Sequence, residues 1–304
     1  MTREELNEEI QKEIELEQKQ EKRKKIIKKT IKGIFIIILL SILFYSYTTY
    51  ISTVKIGVRE YRIINEKVPT PFNGLKIIQL SDLHYGSTMF QENVKQIKKI
   101  VNDRNPDIIV FTGDLIKKNY NISAQEQEEL IKELKLMKST LGKYAILGDE
   151  DNEKVATIFN QSEFSILRND YDLIYKDNSI PLLLIGINSQ KKEQDISKSF
   201  RYFQQETYNS NIYTITIFHE PDTVEEIVGS YHSDLLIAGH SHNGDIRIPI
   251  INKAIRKKAG AQKYDQDFYN IDNTPFYISS GLGTESGIRL FCRPSINFFR
   301  ISNQ

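Results

Sequence analysis

Apolar residues in this chain fall into one long block and a series of short runs, and the polar stretches between them mark out the elements. The long block, Ile34 to Ile51, is 18 residues without a charge. As a helix it would be about 27 Å long, just enough to cross a bilayer core. Short runs recur from residue 75 onward: Leu75–Leu80, Ile108–Thr112, Tyr144–Leu147, Leu182–Ile187, Ile212–Phe218 and Asp234–Ala238. Their length and β-branching predict buried strands. Val94, Ile97, Ile100 and Val101 share one face at helical spacing, and a polar helix is expected over Ala124–Lys138. Another helix should start near Asp222 and run to about Val228. Short strands around Phe276–Ser279, Ile288–Phe291 and Asn297–Ile301 close the chain. Strand, turn and helix alternate three times, which predicts an α/β fold with a parallel or mixed sheet.

The flanks of the long block decide what it is. Residues 1–33 are acidic from Glu4 to Glu21 and basic from Lys22 to Lys29, with no Gly or Pro before Gly33. That composition predicts a solvated, charged helix or tail. The basic run directly before Ile34 puts the N-terminus in the cytoplasm and the C-terminal part outside it. Tyr45, Tyr47 and Tyr50 fall where an aromatic belt would sit. No small-x-small cleavage site follows, so an uncleaved transmembrane signal-anchor over 34–51 is expected. Residues 52–74 read as a connector ending in the turn Pro69-Thr70-Pro71-Phe72-Asn73-Gly74, and the globular domain as 75–304.

Composition adds exclusions. The formal net charge of the 304 residues is +1, which implies no nucleic-acid partner. Cys292 is the only cysteine, so neither an internal disulfide nor a thiolate metal cage is possible. The oligomeric state is not legible.

The chemistry lies at the strand ends. Asp82 and His84 follow the first strand, Gly113-Asp114 the second, and Gly148-Asp149-Glu150-Asp151 the third. His219 ends the run at Phe218, and His240 and His242 follow Ala238 within Gly-His-Ser-His-Asn-Gly. Residues two apart at a strand end leave the backbone on one side, so each pair can face one point. In α/β sheets the loops beyond the carboxyl ends of the strands collect on one edge, so these residues should converge. Three carboxylates and four imidazoles are too many ligands for one ion and suit two ions that share a bridging carboxylate. Such a pair is a clamp for phosphoryl chemistry, and the N/O donor set favours Mn²⁺, Fe or Zn²⁺. His232, away from any strand end, reads as a surface residue.

These motifs, in this order, resemble the calcineurin-like metallophosphoesterase family, in particular its bacterial membrane-anchored or exported branch. The resemblance covers roughly residues 75–300. It includes the closing stretch Gly281-Leu282-Gly283-Thr284 to Arg289-Leu290-Phe291-Cys292-Arg293-Pro294. It implies two facing mixed β-sheets flanked by helices. It also implies one metal on Asp82, His84 and His242, a second on Asp149, His219 and His240, and Asp114 bridging. The third motif departs from the family's Gly-Asn-His-Asp or Gly-Asn-His-Glu. Asp149 stands in place of a neutral ligand, and Glu150 in place of the histidine that contacts substrate. Glu150 could serve as proton donor only in its acid form.

The reading is therefore a membrane-anchored, extracytoplasmic phosphoesterase with two divalent ions. Its expected substrate is a phosphodiester or lipid-linked phosphate of the envelope, because the connector is short. The alternative is a pseudoenzyme on the same fold that binds metal or phosphate without turnover, as the altered third motif would permit. Lys253, Arg256, Lys257, Lys258 and Lys263 form a basic stretch that could face phosphate or an anionic head group.

Overall fold

In each apolar run, neighbouring side chains point to opposite faces, and both faces are covered. A computed structural model describes residues 2–304 apart from Asn178, Thr207, 249–252 and 255–256. The chain divides into two units, Met1–Thr48 and Thr49–Gln304.

The first unit is essentially one helix, α1 (Arg3–Ser46), which carries the charged stretch and most of the apolar block. Among the described residues it is the one helix long and apolar enough to cross a membrane. Its apolar residues are exposed along the block, as with Phe35 and Leu40. A single π-helical turn, Tyr47–Ile51, follows.

The second unit contains β1 (Gly57–Ile64), β2 (Leu75–Leu80), α2 (Gln91–Arg104), β3 (Ile108–Phe111), α3 (Ala124–Lys135), β4 (Gly142–Ala145) and α4 (Glu153–Gln161). Next come β5 (Ser165–Ile166), β6 (Asp170–Ile174), β7 (Leu182–Gly186), α5 (Ile196–Ser199), β8 (Thr214–Phe218), α6 (Val224–Ser230) and β9 (Leu235–Ala238). After the short pair β10 (Arg247–Ile248) and β11 (Lys253–Ala254), β12 (Phe268–Ile271), β13 (Thr274–Ile278) and β14 (Ser295–Ser302) finish the fold. One sheet has the order β1-β14-β2-β3-β4-β5 and the other β12-β13-β9-β8-β7-β6. Both are mixed: β2, β3 and β4 run parallel, as do β7, β8 and β9, while β14 lies antiparallel to β2.

Alternation builds four layers. Ile77, Ile108, Val110, Leu182, Leu184, Ile215 and Ile237 meet between the sheets. Their neighbours Ile78, Ile109 and Phe111 turn outward to Val94, Ile97 and Val101 of α2 and to α3 and α4. Leu183, Ile185, Leu236 and Ala238 turn to the other side, against Val224 and Ile227 of α6. Burial on both faces explains why these strands read as continuous apolar runs.

Three expectations are corrected. Residues 52–74 are not merely a connector. Gly57–Ile64 pairs in parallel with the whole of β14 as an edge strand. Its sequence, Gly-Val-Arg-Glu-Tyr-Arg-Ile-Ile, is half charged or polar because one edge and one face meet water, which hid it from a search for apolar runs. The run Ile288–Phe291 is no strand; only Leu290 forms a bridge, to Ile246. The third strand begins at Gly142 and ends at Ala145, earlier than its apolar residues suggested, because Ile146 and Leu147 already belong to the loop leading to the site.

Candidate metal centre

Seven residues expected to converge do so, at the carboxyl ends of the central strands. They form two groups, Asp82, His84 and His242 in one, and Asp114, Asp149, His219 and His240 in the other. In the first, His84 Nε2 and His242 Nε2 lie 3.1 Å apart, and His242 Nε2 is 3.3 Å from Asp82 Oδ1. In the second, Asp149 Oδ1 is 3.3 Å from both His219 Nε2 and His240 Nδ1. Asp114 Oδ2 lies between them, 3.4 Å from His219 Nε2 and 3.8 Å from His84 Nε2. That oxygen is buried and has no hydrogen-bond partner.

The way the residues converge differs from the extended geometry expected of strand ends. Asp82, His84, Asp114, His240 and His242 all have left-handed backbones, with φ between 44° and 62°. Non-glycine residues cost energy there, and such strain clusters at functional sites. Close approach makes it possible: a Cβ on Gly148 would collide with the Asp114 carboxylate, and one on Gly239 with Ser81 Oγ. The turns are pinned from behind by Asp151, which the sequence reading did not assign. Its carboxylate accepts hydrogen bonds from the backbone N–H groups of Asp114 (2.7 Å), Leu115 (2.9 Å) and Gly148 (2.8 Å). Burial and the Asp114 charge push this carboxyl up to about 7, against the pull of those donors.

The far nitrogen of each imidazole faces an acceptor. His219 Nδ1 is 2.7 Å from Thr112 O, His240 Nε2 is 2.7 Å from Ala259 O, and His242 Nδ1 is 3.2 Å from Asp245 Oδ1. His84 Nδ1 lies 3.3 Å from Glu150 Oε2, without hydrogen-bond alignment. An N–H donated outward leaves the inner nitrogen as a lone pair, the arrangement of metal-ligating histidines. Orphaned Asp114 Oδ2 between two such groups fits divalent cations.

Burial alone would raise the carboxyls, but the neighbouring imidazoles outweigh it. Asp82 is held low by His242, Asp114 by His219, and Asp149 by His219 and His240. His219 moves the other way: burial lowers it, yet Asp114 and Asp149 raise it well above the usual histidine range.

A cavity of about 450 Å³ opens over the site, lined by Asp149, Glu150, His240, Asp245 and the lysines 118, 191, 257 and 258 among others. Lys191 Nζ donates to Asp149 Oδ2 at 2.5 Å. Lys258 Nζ pairs with Glu285 and lies 3.3 Å from His242 Nε2. Two members of the basic stretch thus reach the cavity. Lys263 pairs instead with Glu225, Arg256 lies outside the described residues, and only the backbone of Lys253 is described. Glu150 Oε2 accepts from Lys118 N–H at 2.8 Å, and Glu150 forms a third acidic group with His84 and Glu285. His232 is exposed and paired with Asp234.

Asp245 and Glu285 were not singled out from sequence; Asp245 sits three residues after His242, the one available hint. The closing stretch acts structurally. Arg289 is fully buried and donates to the carbonyls of Ser280 (2.7 Å) and Gly281 (3.3 Å) and to that of Gly283.

Two facing mixed sheets with imidazoles and carboxylates at their central strand ends define the scaffold of a metal-dependent phosphoester hydrolase. The calcineurin-like phosphoesterase profile matches residues 75–244, more than half of the chain, and the chain belongs to that family. The metallophosphoesterase YkuE of Bacillus subtilis is 27% identical over 272 residues, 85% of this chain and 90% of its own. UDP-2,3-diacylglucosamine pyrophosphatase LpxG of Chlamydia trachomatis is 25% identical over 290 residues, 76% of this chain and 85% of its own. Among solved structures, the calcineurin-like phosphoesterase YfkN from Bacillus subtilis aligns at 15% identity. That alignment spans 69% of this chain and 82% of the other, with a TM-score of 0.43.

Proposed function

We propose that Asp82, His84 and His242 hold one divalent cation, Asp149, His219 and His240 a second, and that Asp114 Oδ2 spans both. The observation carrying this is that oxygen, buried, charged and unpartnered between the two groups. Such ions, Mn²⁺, Fe or Zn²⁺, would draw charge from phosphoryl oxygens and acidify a water. The chain's own part is to bind and orient. Lys191 and Lys258 line the cavity as phosphate contacts, and several lysines suit the two phosphoryl groups of a diphosphate. Glu150 Oε2 is anchored on Lys118 N–H, and the residue lines the cavity, so its carboxyl is the candidate to hold a proton for the departing oxygen. Similarity to a pyrophosphatase acting on a diacylated sugar nucleotide supports a lipid-linked phosphate, reached from an anchored domain. The third motif favours a second reading, a module that binds metal and phosphate without turnover.

Metal analysis and hydrolysis of an aryl phosphodiester with Mn²⁺ separate these. The native chain should carry about two ions, and Asp114→Asn should lose metal and roughly 10²-fold or more in turnover. Unchanged metal content in that variant would overturn the ligand assignment. Two bound ions with no turnover of any phosphoester would favour the second reading. Glu150→Gln should lower turnover about 10²-fold with metal content unchanged, and unaltered turnover would rule Glu150 out as donor.

A further inference from the structure

The closing stretch holds a residue the metal site does not use. Phe291 has φ +56°, a left-handed backbone that a bulky side chain adopts only when the surroundings impose it. The ring it presents is 65% exposed, so this strain brings no burial within the fold. Phe268, 46% exposed at the start of β12, borders the same cavity as Phe291, beside Arg59 and Arg247. Arg293 is exposed two residues further on. Arg59 pairs with Asp267 and Arg247 with Asp265, so Arg293 is the exposed cation here, and exposed rings beside such a cation are the composition of a membrane–water interface.

Chain length says what this edge meets. Five residues separate Ile51, the end of the apolar block, from Gly57, a reach of about 20 Å at most. Gly57 N–H donates to Pro294 O at 2.8 Å, three residues from Phe291. The strand that receives the chain from the apolar block is thus pinned to the loop that presents the ring. The same loop backs onto the metal site, because Cys292 Sγ–H donates to His242 O at 3.1 Å.

We propose that the Phe268–Phe291 edge docks into the headgroup region of the bilayer that α1 enters. This rests on the membrane-anchored reading. Docking would hold the metal centre at a set height over lipid headgroups, where a lipid-linked phosphate lies.

The chain contains no tryptophan, so a single introduced one reports alone. Three full-length variants are reconstituted in phospholipid nanodiscs with and without brominated acyl chains. They are Phe291→Trp at this edge, Phe44→Trp in the apolar block, and Tyr175→Trp just past β6 on the opposite edge of the second sheet, 61% exposed. Phe291→Trp should emit to the blue of Tyr175→Trp and lose roughly a third or more of its emission to the bromines, as interfacial rings do. Phe44→Trp should be quenched more strongly, and Tyr175→Trp not at all. Quenching of Phe44→Trp with Phe291→Trp no different from Tyr175→Trp would overturn the docking while leaving the membrane span intact; the edge would then be free for a protein partner. An unquenched Phe44→Trp would remove the span and the docking with it.

Discussion

At the residue scale, the site is a set of opposed charges that fold together before any cation arrives. Asp82, Asp114 and Asp149 release protons more readily folded than unfolded, since their imidazole partners outweigh burial. Their contribution to stability is complete above about pH 4 and is lost as pH falls through their lowered values. His219 works in the opposite sense. Its contribution is complete below about pH 6.5 and is lost as pH rises through its raised value. Metal-free protein should therefore be most stable between those limits. Cation binding needs neutral imidazoles, so it gains as pH rises. The melting temperature with and without excess Mn²⁺ checks this: the increment at pH 8 should exceed that at pH 5.5. An equal increment at both would mean that these histidines do not carry the metal. The ligand candidates were legible because each lies at the end of an apolar run. Asp151 was not, since its partners are backbone N–H groups, two of them in the loop after β3 and one in its own loop.

At the element scale, one buried cation joins two helices to the sheet. Lys143, on β4, is buried, and its Nζ donates to Lys135 O at 3.2 Å and Ser162 O at 2.8 Å. These carbonyls end α3 and α4, so the ammonium caps both helices where their free acceptors and negative dipole ends gather. Burial lowers its pKa, with Glu163 pulling it back up. Lys143→Met keeps the aliphatic stem and removes the donor. It should cost about 2 kcal/mol in denaturant unfolding, the scale of hydrogen bonds from a charged group; unchanged stability would show that the carbonyls find other partners. No sequence pattern announces such a cap, because Lys143 follows Gly142 in what reads as a turn. The helices were legible by their apolar faces: α2 from Val94, Ile97 and Val101, all buried. β1 was not, because an edge strand need not be apolar.

At the scale of the whole molecule, the charged stretch before Ile34 and most of the apolar block form one helix, and five residues lead from the block to β1. The basic run on the N-terminal side of the block predicts that residues 52–304 lie outside the cytoplasm. Protease added to intact, wall-stripped cells should digest that domain and leave the extreme N-terminus protected. A fully protected domain would reverse the orientation.

By itself the sequence determined an α/β scaffold with mixed strands, the long apolar helix and the seven ligand candidates. Each of those follows from local pattern: short apolar runs alternating with helical faces, an uncharged run, or a polar residue that stops a strand. Only the tertiary structure decided how the ligands meet, through five left-handed residues and glycines that let loops from both sheets touch. It alone decided that Glu150 faces His84, that Lys191 and Lys258 reach the cavity, and that β1 belongs to the sheet. The reason is one of range. Patterns along a chain report which side of an element is buried. Which two side chains from different elements touch depends on register and on how the two sheets stack, and neither leaves a mark at the spacing of a single strand or helix.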